Sequence, residues 1–147
     1  MDETTYPFRT EPLEIQYYFD SVSESKTVQK IVRFTETALP EVFNVALLDL
    51  LEDGLESDLS VTNNDDFRTV LATVMKIIDN FLTKSPDKIV TFRGSDARRT
   101  RLYRIVISRE IDAIRQKFDV YGQYSDGTFE PFVANANYIR FLIKIKF

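Results

Sequence analysis

Lys88–Ile111 reads KIVTFRGSDARRTRLYRIVISREI, and the change of apolar period inside it decides the fold. Lys88 to Phe92 is a short, β-branched apolar run of the kind that forms a strand, and it stops at Gly94. Beyond Gly94 the apolar residues Tyr103, Ile107, Ile111, Ile114 and Phe118 recur at spacings of four, four, three and four, the stripe of an amphipathic helix. Gly94-Ser95 is therefore a strand-to-helix turn, with Ser95 as the expected helix cap and Asp96 and Ala97 opening the first turn. The same stretch holds six of the chain's eleven arginines: Arg93, Arg98, Arg99, Arg101, Arg104 and Arg109. Arg98, Arg101, Arg109 and Arg115 lie off the apolar stripe, so they are expected to project away from the core.

Working outward, Phe67, Val70, Leu71, Val74, Ile78 and Phe81 form a second helical stripe and predict a helix from about Asp65 to Lys84. Asn63, Asn64, Asp65 and Asp66 supply capping oxygens and favourable charge at its start, and Ser85-Pro86 ends it. Upstream, Leu13–Phe19 and Thr27–Phe34 read as two strands of an antiparallel hairpin across a polar connection. VFNVALLDLL, after Pro40, starts as an alternation and loses it at Leu47 and Leu48, as in a bulged strand or one buried on both faces. Downstream, Asp126-Gly127 marks a turn, and Ile139, Phe141, Ile143 and Ile145 alternate with Arg140, Lys144 and Lys146 in a final strand. A helix between two strand segments implies a crossover onto the same sheet. The expected fold is α+β: one domain over residues 1–147, in two or three layers. It has a mostly antiparallel sheet, two main helices, the order β-β-β-α-β-α-β-β, and irregular residues 1–12.

Composition narrows the chemistry. A chain of 147 residues with 44% apolar and 29% charged residues is an ordinary globular domain. With no cysteine and no histidine, disulfides, thiolate catalysis, the usual general base and the commonest metal ligand are all excluded. The start, MDETTYPFRTEP, has no basic segment leading an apolar one, and no apolar run approaches the roughly 20 residues of a membrane span, so a cytoplasmic location is expected. Charge is segregated along the chain. Residues 1–66 carry fifteen acidic and four basic side chains, net −11, and the remainder carries +7, against −4 overall. The arginines thus have two candidate roles: internal pairing with the acidic half, or a patch for an anionic ligand. Asp49, Glu52, Asp53, Glu56 and Asp58 gather around Gly54 but lack the ligand order of a calcium loop, so a solvated loop is expected and no metal site.

The segments FNVALLDL, TNNDDFRTVLATVMKIIDNF and IVTFRGSDARRTRLYRIVI resemble an uncharacterised bacterial family of about this length, a domain of unknown function. The element order also resembles the central and C-terminal part of the GCN5-related N-acetyltransferase fold. In those enzymes a Leu-Tyr pair on the helix after a strand carries a tyrosine general acid, and Leu102-Tyr103 is similar to that pair. The resemblance implies acetyl-coenzyme A as cofactor, Tyr103 as acid, and Asn63 and Asn64 at the turn that cradles the pyrophosphate. The sequence departs from it there, because Thr62-Asn63-Asn64-Asp65-Asp66 has no glycine and carries two carboxylates where a pyrophosphate needs backbone N–H groups.

Two functions follow as expectations. One is a degenerate acetyltransferase-like domain that binds an acyl-coenzyme A or another phosphate-bearing ligand. The other is a non-catalytic module in which Gly94, Ser95, Arg98, Arg99 and Arg101 hold an anionic small molecule or an acidic protein, or pair internally. Nucleic acid is disfavoured, with pI near 4.9 and no lysine-rich stripe.

Overall fold

The computed structural model describes residues 4–10, 15–22, 26–57 and 67–146. The expected cap of the first helix, Asn63 to Asp66, lies outside the described residues. Among the described residues, nine strands and two helices follow in the order β1 (Arg9–Thr10), β2 (Gln16–Val22), β3 (Thr27–Glu36), β4 (Val42–Leu50), β5 (Glu56–Ser57), α1 (Phe67–Lys84), β6 (Ile89–Phe92), α2 (Ala97–Ile114), β7 (Phe118–Gln123), β8 (Phe129–Pro131) and β9 (Arg140–Ile145). The strands are hydrogen-bonded as β1-β2-β3-β4-β6-β9-β7-β8, with β5 on β4. The strands of four residues or more give the expected α+β order, β-β-β-α-β-α-β-β, and β8 is the short partner of β7 in a hairpin. Among the registered pairs only β4 and β6 run parallel, Phe43 opposite Val90, and α1 lies in the connection between them. Contacts cluster into two compact units. One takes residues 36–44 and 82–146, the other the described residues of 4–35 and 45–81.

In the second of these units, β2 and β3 pair with Tyr17 opposite Val32 and Phe19 opposite Lys30. Period-two alternation therefore puts Tyr17, Phe19, Val32 and Phe34 on one face, all buried. Helix α1 lays its stripe there: Phe34 and Phe81 stack with centroids 4.0 Å apart, and the Tyr17 hydroxyl donates to Asn80 Oδ1 at 2.8 Å. The buried side of α1 is wider than its spacing predicts, taking in Ala72, Thr73, Met75 and Ile77 as well. Residues 4–8, expected to be irregular, have no regular secondary structure but are packed: Tyr6 stacks on Phe19 and its N–H donates to Thr73 Oγ1. Arg9–Thr10 then pairs with β2.

One expectation about β4 is corrected. Phe43, Val45 and Asp49 are its buried residues, and Asp49 is 4% exposed instead of belonging to a solvated loop. What replaces the apolar residue is an ion pair: Lys30 Nζ lies 2.5 Å from Asp49 Oδ1, with both side chains buried. The second carboxylate oxygen has no hydrogen-bond partner among the described residues. The turn after β4 closes around Gly54, whose φ of 85° favours glycine.

In the other unit, Phe92 lies opposite Phe141 and Val90 opposite Ile143, and Gly122 and Val120 of β7 flank the same two residues of β9. This face is covered by Tyr103, Val106, Ile107 and Ile114 of α2. Phe118, which continued the helical spacing, is the first residue of β7, because α2 ends at Ile114 and a turn intervenes. Gly122 is a packing glycine: a Cβ there would lie 2.3 Å from the ring of Tyr138. Tyr138 is held by its hydroxyl, which donates to Glu130 Oε1 at 2.6 Å, as does Tyr124. The two phenols hold the Glu130 carboxyl below the usual glutamate range.

Two tests follow from these units. Lys30→Met leaves a buried, unpaired carboxylate and should lower stability by about 3–5 kcal/mol in denaturant melts, whereas Lys30→Met with Asp49→Leu should return close to wild type. Because Glu130 is depressed in the folded state, its contribution is present above the usual glutamate range and is lost as pH falls through the folded value. Glu130→Gln should therefore flatten the acid limb of the stability–pH curve, and a parallel acid limb in the variant would refute the assignment.

Candidate functional site

The site foreseen in the sequence is the turn from β6 into α2, and the structure accounts for it residue by residue. Gly94 is buried and serves close packing: a Cβ would lie 2.4 Å from the backbone N of Thr100 and 2.7 Å from Arg99. Its own N–H donates to Thr100 Oγ1 at 3.0 Å, and the same hydroxyl donates to the Asp96 carbonyl at 3.0 Å. Thr100 therefore ties the turn to the second turn of the helix. Nothing in the pattern RRTRL distinguishes it from a solvent-facing threonine.

The helix cap is Asp96, not Ser95. Asp96 has extended backbone angles (φ −147°, ψ 174°), and its carboxylate accepts from the Arg99 N–H at 2.8 Å. A carboxylate at this position satisfies an orphan N–H and also meets the positive end of the helix dipole, which a serine hydroxyl does more weakly. Ser95 instead accepts from Arg99 Nη1 at 2.7 Å, and Asp96 Oδ2 lies 3.5 Å from the same guanidinium. Gly94, Ser95 and Arg99 are thus together, joined by bonds among themselves and with Asp96 and Thr100.

The remaining arginines divide. Arg104 donates to Asn137 Oδ1 at 3.2 Å, and Arg115 donates to the Phe132 carbonyl. Arg98, Arg101 and Arg109 are exposed, and none forms an ion pair among the described residues. Tyr103 is 8% exposed and sits edge-on to Phe92, ring centroids 6.0 Å apart, within the apolar layer under α2. Asn63 and Asn64 lie outside the described residues. Among the described residues no group of three or more acidic side chains is arranged to hold a metal ion, and no helix is long and apolar enough to cross a membrane.

This combination of a β6–α2 turn with outward arginines runs through a sequence that a known family profile covers almost end to end, at residues 2–146. The chain belongs to the family of unknown function DUF6934. The likeness to an unassigned domain family seen in FNVALLDL and IVTFRGSDARRTRLYRIVI is thereby established. No curated protein and no solved structure matches this DUF6934 chain, so the likeness to acetyltransferases finds no counterpart there.

If Gly94 is a packing glycine, Gly94→Ala should destabilise the protein by about 1–3 kcal/mol, the range typical of overpacking. A melting temperature equal to wild type would show that the turn has room the structure does not give it.

Proposed function

We propose that the protein is a non-catalytic interaction module whose α2 presents a basic stripe to an anionic partner. The observation that carries this reading is the exposure of Arg98 and Arg101, one turn apart and without an ion pair among the described residues, in a chain of net charge −4. Arg109 continues the stripe about three turns beyond Arg98, roughly 16 Å along the axis, a span that suits an acidic polypeptide better than a small ion. Guanidinium forks recognise carboxylates bidentately, and exposed charges of one sign accelerate encounter with an oppositely charged partner. Gly94, Ser95 and Arg99 then act as the frame that fixes the start of the stripe.

The acyl-coenzyme A reading draws its support from the element order around α1, β6 and α2, and it requires Tyr103 as the acid. The position of Tyr103 in the apolar layer favours a packing role, so this reading stands second.

One titration separates the two. A labelled glutamate-rich peptide should bind at low salt, and Arg98→Glu with Arg101→Glu should weaken it at least about tenfold, as expected when charge-assisted bonds are lost. Equal binding by the variant removes the stripe from the function. Acetyl-coenzyme A belongs in the same series: a rise in melting temperature that survives the double variant would transfer the function to the coenzyme.

A further inference from the structure

A second cationic cluster lies on the sheet itself, on residues that the reading of α2 does not use. Asn44 of β4 is opposite Thr91 of β6, and Thr91 is opposite Leu142 of β9, so Asn44, Thr91 and Leu142 share a face. Arg140, two residues before Leu142, shares that face as well. Its Nη1 donates to Asn44 Oδ1 at 3.3 Å and to Thr91 Oγ1 at 3.2 Å. Both acceptors are neutral. Once they have accepted from Arg140, what Asn44 and Thr91 still offer is a side-chain N–H2 and a hydroxyl proton.

The neighbour across the strand is a second arginine. Phe92 pairs with Phe141 in antiparallel register as the last registered pair, and Arg93 and Arg140 are the residues directly beyond it on the two chains. Like charges facing each other across two strands destabilise a sheet. The structure carries the mark of this: burial and the charge of Arg93 both pull the Arg140 guanidinium down from its ordinary value. Arg140 is half-buried, Arg93 is exposed, and neither forms an ion pair among the described residues. Gln123, the residue of β7 opposite Arg140, commits its amide N–H to the Gly127 carbonyl at 3.2 Å and brings no charge. Two guanidinium groups, a hydroxyl and an amide thus gather as donors, and among the described residues no carboxylate is bonded to either arginine.

We propose that Arg93, Arg140, Thr91 and Asn44 form an oxyanion site on this face of the sheet, and that its ligand class is the dianion of a phosphate monoester. Two fixed positive charges match a dianion. Guanidinium forks fit phosphate oxygens in pairs, and the threonine hydroxyl and asparagine amide supply directional donors that a diffuse counter-ion would not need. A bound dianion also removes the cross-strand repulsion, so ligand binding and stability of the β6–β9 pair are linked.

The test is thermal melting and calorimetry of the full chain at pH 8, with inorganic phosphate, phenyl phosphate and acetate each compared with chloride at matched ionic strength. Both phosphates should raise the melting temperature saturably and acetate should not. Arg140→Met and Arg93→Gln should each weaken phosphate binding about tenfold or more. Arg93→Gln, at an exposed position, should also melt higher than wild type in chloride, which keeps the test decisive if Arg140→Met fails to fold. The Arg98→Glu, Arg101→Glu protein should keep its phosphate response, separating this site from the α2 stripe. No phosphate shift, an equal shift with acetate, or a shift unchanged by Arg93→Gln would each overturn the proposal.

Discussion

The parallel pairing of β4 with β6 is the constraint on which the architecture depends. Two parallel neighbours cannot be joined by a hairpin, so the chain between Leu50 and Ile89 has to cross over, and α1 is the element that makes the crossing. Its apolar stripe then meets the aromatic face of β2 and β3 through Phe81 on Phe34 and Asn80 on Tyr17. In the other unit, β6 offers its free edge to β9, and β9 offers its own to β7. The turn at Gly94, the start of α2 and the neighbouring arginines Arg93 and Arg140 all take their positions from where β6 has been set.

Polar groups inside this frame are placed to specify as well as to stabilise. Lys30 and Asp49 sit where β3 and β4 would each accept an apolar residue, and a buried ion pair rarely stabilises more than a well-packed apolar pair. Its value lies in selecting one pairing, since a one-residue slip would send both charges to the opposite face. Glu130 does comparable work for β8: by accepting from Tyr124 and Tyr138 with one oxygen it ties Tyr124 to the ring that packs on Gly122.

What the sequence revealed was what a period can carry. The alternation in Thr27–Phe34 and Ile139–Ile145 and the stripe of α1 were legible because each depends only on residues close in the chain. Partners far apart in sequence were not. Asp49 read as part of an acidic loop because Lys30, its reason for being buried, lies nineteen positions away. Phe118 read as helical because a spacing of four satisfies both a helix stripe and the first inward position of a strand beyond a turn. Ser95 and Asp96 are both good caps, and only the backbone angles chose between them. The arginines stood out in number, but their division into exposed Arg98 and Arg101, tied Arg99 and Arg104, and the cross-strand couple of Arg93 and Arg140 required the sheet order.

The position of β9 has a consequence for how the protein is made. Arg140–Ile145 fills the slot between β6 and β7, yet both of those strands leave the ribosome before it. Between the emergence of β7 and that of β9, two strand edges are exposed before their partner is available. Any extended segment within reach can occupy that slot in the meantime, so the delay between the two sets how long the nascent sheet is open to capture by the wrong strand.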